Sequence, residues 1–127
     1  MATKIVDKSG YRLIRVSGML DGLTAESQEF ETRLLECEAA PAQNHVLDLS
    51  AVDYVNSSTL GAFVRLLGAV QDKGFQVLIL NPPASVRNVL DLTGLSTLLP
   101  VVRDEAEIQG LLKQTPPAKA ASRDVDY

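Results

Sequence analysis

The sequence contains no tryptophan and is poor in other aromatic residues, in histidine and in cysteine. Among its 127 residues there are three Tyr, three Phe, one His and one Cys. A single Cys cannot form an internal disulfide, and a single His cannot supply a multi-histidine metal site. Disulfide scaffolds and zinc folds are therefore excluded. With so few aromatic side chains, the core must consist of Leu, Val, Ile and Ala.

The chain also lacks an excess of basic residues and a long apolar run. Its 16 Asp and Glu outnumber its 12 Lys and Arg, which gives a formal net charge of −4. Nucleic-acid binding needs clustered Lys and Arg, so no nucleic-acid partner is expected. The apolar run at residues 75–80 is too short to span a bilayer, and residues 1–7 do not begin a secretory signal. These features predict a cytoplasmic protein with no membrane insertion.

Short apolar segments alternate with amphipathic helical patterns along the chain. The order strand-strand-helix-strand-helix-strand-helix-strand-helix predicts an α/β layer fold with right-handed crossovers. Residues 1–113 have the length of one domain. The composition changes at Gln114, so residues 114–127 are expected to form a flexible C-terminal tail. The expected strands are residues 5–6, 11–16, 45–49, 75–80 and 98–102, and the expected helices follow Thr24, Asn56, Pro83 and Asp104.

The residues give almost no support to an enzyme. No glycine-rich phosphate loop or nucleophile elbow is present, and no cofactor is expected. His45 lies inside a predicted strand, where a buried histidine is more common than a catalytic base. Asp48 and Asp53 lie near one another at the end of a strand, where paired acids could hold a metal. Turn and cap formation explains these two residues more simply. A phospho-receiver domain is excluded because residues 17–19 supply no acidic cluster after the first long strand.

The most informative segment is residues 46–61, with the sequence VLDLSAVDYVNSSTLG. Asn56 is a favourable N-cap, and it places Ser57, Ser58 and Thr59 in the first turn of a long helix. Their hydroxyls would lie beside unpaired N–H groups and the positive end of the helix dipole, where a phosphoryl group on Ser57 or Ser58 is tolerated. No base accompanies Ser57, so a separate kinase would be needed. The alternative is that these residues only cap the helix.

A partner surface is predicted along one flank of the same helix. Ser58, Ala62, Leu66 and Ala69 recur at helical spacing and form a flat, weakly apolar strip beside the hydroxyl cluster. An equally weighted alternative is that this flank packs on a neighbouring helix. The core-facing stripe of the helix is expected to consist of Leu60, Phe63, Val64, Leu67 and Val70.

Three separated motifs carry a resemblance to a known family. They are SGMLD at 17–21, VLDLSAVDYVNSSTLGAFVRLL at 46–67 and ILNPPASVRNVLDLTGL at 79–95. In this order they resemble the STAS domain, over about residues 4–113. The resemblance implies a small mixed sheet of about four or five strands, packed with about four helices, and no catalytic activity.

The resemblance further implies a partner and a modification. In the bacterial anti-sigma factor antagonists of this family, the partner anti-sigma factor is a serine kinase that phosphorylates a serine at the start of the second long helix. The unphosphorylated form binds that partner and frees the sigma factor. The chain is thereby expected to be a phosphoprotein that acts in transcription regulation by partner switching.

The phosphorylated serine of the family lies in the pattern Asp-Ser-Ser/Thr-Gly-Leu-Gly. Ser57 matches that serine, Ser58 follows it and is the less favoured acceptor, and Gly61 agrees with the pattern. Asn56 replaces the usual Asp, and Thr59 replaces the usual Gly. Asn56 still caps the helix but carries no charge, whereas Thr59 is expected to place a β-branched side chain on the partner surface.

Asp21 matches the acidic loop position that lies near the phosphorylated serine in the family, which implies a role in partner binding. Its ordinary alternative is a turn residue in a loop between Gly18 and Gly22. The departures at Asn56 and Thr59 favour a second function to some extent. In that function the chain is a non-phosphorylated STAS subunit of a lipid-transport ABC complex or of a signalling scaffold.

Overall fold

Residues 3–114, the part of the chain that the computed structural model describes, contain five strands in one mixed sheet. The order of the strands across the sheet is their order along the chain. The first two strands pair antiparallel through a turn at Gly10, and each later strand pairs parallel with the one before it. The strands are β1 (Thr3–Lys8), β2 (Tyr11–Leu20), β3 (His45–Val55), β4 (Val77–Leu80) and β5 (Val101–Val102).

Helices cover both faces of this sheet, and the sheet separates the core into a larger and a smaller apolar cluster. Neighbouring side chains of a strand point to opposite faces, so Leu47 joins the larger apolar cluster and Val46 the smaller one. The first three helices contribute to the larger cluster, and the last helix covers the smaller one through Ile108. The helices are α1 (Ala25–Ala39), α2 (Ser57–Asp72), α3 (Ala84–Leu92), α4 (Leu95–Leu98) and α5 (Glu105–Gln114).

Long-range hydrogen bonds attach α5 to the hairpin formed by β1 and β2. The Tyr11 hydroxyl donates to the Glu105 carboxylate. The Gln109 side chain donates to the Ser9 carbonyl oxygen at 3.0 Å. The last helix of the described chain is therefore held against its first turn.

The α/β class and the mixed sheet agree with the sequence-based prediction, and so does the order of elements except for α4, a short helix that was not predicted. Several boundaries also differ, and β3 continues to Val55 instead of ending at Leu49. β2 continues through Gly18, which was expected in a loop, because a register shift between Gly18 and Met19 accommodates its φ of 99° within the strand. The strand expected at residues 98–102 is shorter, since Leu98 ends the short helix α4. Gln114 is the last residue of α5, whereas the rest of the predicted tail, residues 115–127, lies outside the described residues.

The buried face of α2 is also rotated from the predicted stripe. Val64 is 43% exposed and Leu60 is half-buried, whereas Ala62 and Leu66 are fully buried beside Phe63. The reason is that α2 packs against α1 as well as against the sheet. Its buried face is therefore turned toward α1. A prediction from hydrophobic spacing that allows for the sheet as the one packing partner misplaces the centre of this buried face.

His45 begins β3 and is fully buried. Its Nδ1 lies 2.8 Å from the Gln43 carbonyl oxygen, and its Nε2 lies 3.4 Å from an Arg12 guanidinium nitrogen. A neutral imidazole with its proton on Nδ1 satisfies both contacts. The pKa of His45 is lowered to about 4, chiefly by burial; the Gln43 carbonyl opposes this shift, and the Arg12 charge adds to it.

This environment predicts a loss of stability in mild acid. The unfolded state takes up a proton near the ordinary histidine pKa of 6.5, whereas folded His45 does so only near 4. The free energy of unfolding should therefore fall by about 1 kcal/mol between about pH 7.5 and 5.5. Urea denaturation across this range measures it. The His45→Gln variant, which has no group titrating in this window, should show a flat profile, and an equal slope in both proteins would contradict the prediction.

Candidate functional site

The candidate site lies where β2 and β3 end. Because these strands are parallel, their carboxyl ends meet at one edge of the sheet, and the segments that follow them come into contact. The Asn56 N–H after β3 donates to the carbonyl oxygen of Leu20 at the end of β2, at 3.0 Å. The start of α2 and the loop before α1 therefore form one surface.

Asn56 joins these two segments through both ends of its amide. Its Oδ1 accepts a hydrogen bond from the Thr59 N–H at 3.0 Å and so caps α2, as the sequence predicts. Its Nδ2 donates to the Asp21 carbonyl oxygen. Gly22 lies against this amide with a φ of 79°, and an added Cβ would be 3.2 Å from Nδ2. The replacement of Asp by Asn at this position thus supplies a donor that a carboxylate lacks.

Asp21 shapes the loop in front of α1. Its carboxylate accepts hydrogen bonds from the Leu23 N–H at 2.9 Å and the Thr24 N–H at 3.0 Å. These two backbone donors hold the pKa of Asp21 below its ordinary value. Asp21 therefore acts as a turn residue, the alternative role given for it in the sequence analysis. Its contact with a partner stays a prediction.

Thr59 does not lie on the surface, and that prediction is wrong. Its side chain is fully buried, and its hydroxyl donates to the Leu20 carbonyl oxygen at 3.0 Å. The hydroxyl therefore satisfies an acceptor at the end of β2. Sequence reasoning misses this because the acceptor belongs to a different strand, 39 positions earlier in the chain.

Ser57 and Ser58 are both exposed in the first turn of α2, as predicted. The Ser58 hydroxyl donates to the Glu31 carboxylate on α1, 3.2 Å from the nearer oxygen. Within residues 3–114, the Ser57 hydroxyl forms no hydrogen bond. The first turn of α2 carries no acidic residue. An anionic group on Ser57 would thus lie at the positive end of a helix whose own first turn carries no negative charge.

The predicted partner flank of α2 is wrong at two of its four positions. Ala62 and Leu66 are fully buried in the same cluster as Phe30 and Leu34 of α1. The alternative, that this flank packs on a neighbouring helix, accounts for both residues. Ala69 is half-buried, as is Gly61, so only Ser58 of the strip is fully on the surface.

Exposed apolar side chains instead lie near the carboxyl ends of β2 and β3 and in the loop that follows β2, a feature that the sequence reasoning missed. Leu23 is 81% exposed, Met19 51% and Tyr54 47%. Met19 and Tyr54 are register partners near the ends of β2 and β3, and Leu23 follows in the loop beside Asn56. We call these three residues the apolar edge patch. The sequence signal that could have identified this patch is the presence of large apolar residues in a loop and at strand ends.

The two remaining candidate carboxylates, Asp48 and Asp53, show no arrangement for metal binding within residues 3–114. Asp48 forms an ion pair with Arg15 at 3.0 Å and accepts the Ser50 hydroxyl, while Asp53 is exposed. No group of His, Cys, Asp and Glu side chains within residues 3–114 is arranged to hold a metal ion. None of the helices in that range combines the length and apolar character needed to cross a bilayer.

Solved structures with a similar fold include anti-sigma factor antagonists. One from Mycobacterium paratuberculosis is 25% identical, with a TM-score of 0.71 over 87% of this chain and 92% of that one. The anti-sigma factor antagonist SpoIIAA in its unphosphorylated form is 18% identical, with a TM-score of 0.71 over 87% and 96% of the two chains. The Bacillus cell fate determinant SpoIIAA in its phosphorylated form is 17% identical, with a TM-score of 0.66 over 87% and 99%.

The fold is thus that of a class of regulatory proteins which are generally not enzymes. The family model of the STAS domain matches residues 2–108. The chain belongs to the STAS domain family. This confirms the family and the fold that the three sequence motifs implied.

The bridging role of Asn56 gives a testable consequence. In Asn56→Asp a carboxylate would face the Asp21 carbonyl oxygen, so one hydrogen bond is replaced by repulsion between two acceptors. We expect the free energy of unfolding to fall by about 1 to 2 kcal/mol, although Asp is a good N-cap and the usual residue of the family pattern. Chemical denaturation measures the loss. Asn56→Ala, which removes both hydrogen bonds, is the reference variant, and an Asn56→Asp protein as stable as the parent would contradict the assignment.

Proposed function

We propose that this protein is an anti-sigma factor antagonist that binds an anti-sigma factor with serine kinase activity and is switched off by phosphorylation of Ser57. The observation that carries the proposal is the exposed hydroxyl of Ser57, which forms no hydrogen bond within the described residues and stands at the start of α2. The fold shared with known antagonists supports the same function.

The proposed chemistry requires no catalytic group in this chain. The kinase transfers the γ-phosphoryl group of ATP to Ser57 Oγ, the hydroxyl proton is released, and ADP leaves. The new dianion lies at the positive end of α2, so the fold accommodates it. Its effect is therefore on the docked partner, which meets added charge and bulk next to an apolar contact.

The two departures from the family pattern do not alter this surface. The Asn56 amide and the Thr59 hydroxyl both donate inward, to carbonyl oxygens of Asp21 and Leu20. Neither side chain therefore argues for the alternative of a non-phosphorylated subunit in a lipid-transport ABC complex or signalling scaffold. A chain that is never modified and that binds a transporter ATPase would establish that alternative.

Phosphorylation is tested by incubating the protein with ATP and the purified anti-sigma factor kinase of the cells that encode it. We expect one added phosphoryl group by intact mass and none in Ser57→Ala, because Ser57 is the free acceptor. Ser85→Ala is a matched control, since its hydroxyl lies 3.4 Å from the Asp53 carbonyl oxygen at the start of another helix, α3. A product that persists in Ser57→Ala, or no product with an active kinase, would contradict the proposal.

Docking through the apolar edge patch is tested with Leu23→Ser. The Leu23 side chain is 81% exposed, so its loss should leave the fold intact and weaken binding to the same kinase at least tenfold, about 1.4 kcal/mol. Isothermal titration calorimetry measures the affinity, and circular dichroism checks the fold. Leu92→Ser removes an equally exposed leucine, 87%, at the end of α3. Equal affinities of both variants and the parent would exclude the patch as the docking surface.

A further inference from the structure

Adjacent serines at the start of α2 have different surroundings. The Ser58 hydroxyl donates to Glu31, with 3.2 Å and 3.4 Å to the two carboxylate oxygens. Glu31 lies on α1, which packs alongside α2. Successive residues of a helix point about 100° apart, and the Ser57 hydroxyl does not share the hydrogen bond to Glu31.

We propose that Glu31 determines which serine is modified, by making Ser58 a poor phosphoacceptor and leaving Ser57 as the acceptor. This inference rests on the proposed function, because it concerns the regulation of the same site. It assigns a specificity role to a residue of α1 that none of the sequence motifs contains. Glu31 is a positioning residue in this scheme, since it acts through the Ser58 hydroxyl.

The first part of the argument is the state of the hydroxyl before reaction. Ser58 is already a donor to a carboxylate, and such charge-assisted hydrogen bonds are stronger than neutral ones. Phosphorylation of Ser58 would remove this bond. Ser57 loses no hydrogen bond to the described chain, because its hydroxyl has none there.

The second part is the charge of the product. A phosphoryl group on Ser58 would place about two negative charges beside the Glu31 carboxylate, and like charges at that separation repel strongly near a protein surface. Among residues 3–114, Glu31 has no Lys or Arg partner to offset this repulsion.

Other charged groups near the serines do not change that balance. Asp21 in the facing loop directs its carboxylate to the Leu23 and Thr24 N–H groups. Arg65 of α2 reaches back to within 3.9 Å of the position of a Cβ on Gly61, one turn from Ser58, and is paired with Glu38 of α1 at 3.8 Å. The Glu31 carboxylate is therefore the charged group in direct contact with Ser58, and the positive end of α2 acts on both serines.

The test uses full-length protein carrying genetically encoded phosphoserine at position 57 or at position 58. Each form is made with Glu31 and with Glu31→Gln, and ³¹P NMR follows the titration of the phosphate. We expect a midpoint at position 58 that is higher than at position 57 by about half a pH unit, because Glu31 disfavours the dianion. Glu31→Gln should remove this difference and leave the midpoint at position 57 unchanged.

Glu36→Gln is the matched control, because Glu36 lies on the same helix but pairs with Arg33 at 3.2 Å. It should leave both midpoints unchanged. Equal midpoints at positions 57 and 58 in the parent protein, or a difference that persists in Glu31→Gln, would overturn the role of Glu31.

Peptide mass spectrometry after kinase treatment provides the second readout. The parent should carry phosphate at Ser57 alone, and Glu31→Gln should divide it between Ser57 and Ser58. Retention of full Ser57 selectivity in Glu31→Gln would overturn the inference. A chain that the kinase does not modify would instead overturn the proposed function, whereas the NMR comparison would still decide the effect of Glu31.

Discussion

The candidate site depends on the amide of Asn56. One end of this side chain caps α2 and the other end holds the loop that follows β2. The Asn56 N–H and the Thr59 hydroxyl also join α2 to the Leu20 carbonyl oxygen. The amide, by contrast, reaches beyond β2 to Asp21 in the loop. The amide thereby fixes the loop that carries Leu23 against the first turn of α2, which carries the exposed serines.

That surface exists because β2 and β3 are parallel and adjacent. Parallel pairing brings both strand ends, and the starts of both following helices, to the same side of the molecule. The two helices then pack alongside each other and bury Ala62 and Leu66. The same packing brings Glu31 to Ser58. One topological feature therefore determines which part of α2 stays available to a partner and which carboxylate lies beside the serines.

Local signals were sufficient for much of the fold. Thr24 and Asn56 cap their helices as their residue types indicate, and each predicted strand overlaps a strand of the sheet, although the bounds differ. Long-range contacts account for the errors. The burial of Thr59 depends on a carbonyl of β2, and the rotated face of α2 depends on α1. The Glu31 contact spans 27 positions and has no signature in either segment alone.

The attachment of α5 has a consequence for synthesis of the chain. Within residues 3–114, α5 is the helix that covers the smaller apolar cluster, and its hydrogen-bond partners lie 94 and 100 positions earlier in the chain. Ribosomes deliver the chain from its amino end, so Leu13, Val46 and Leu78 stay uncovered until the last part of the domain has emerged. During synthesis the smaller apolar cluster is therefore the last to be covered, and a chaperone would encounter the nascent protein with that cluster exposed.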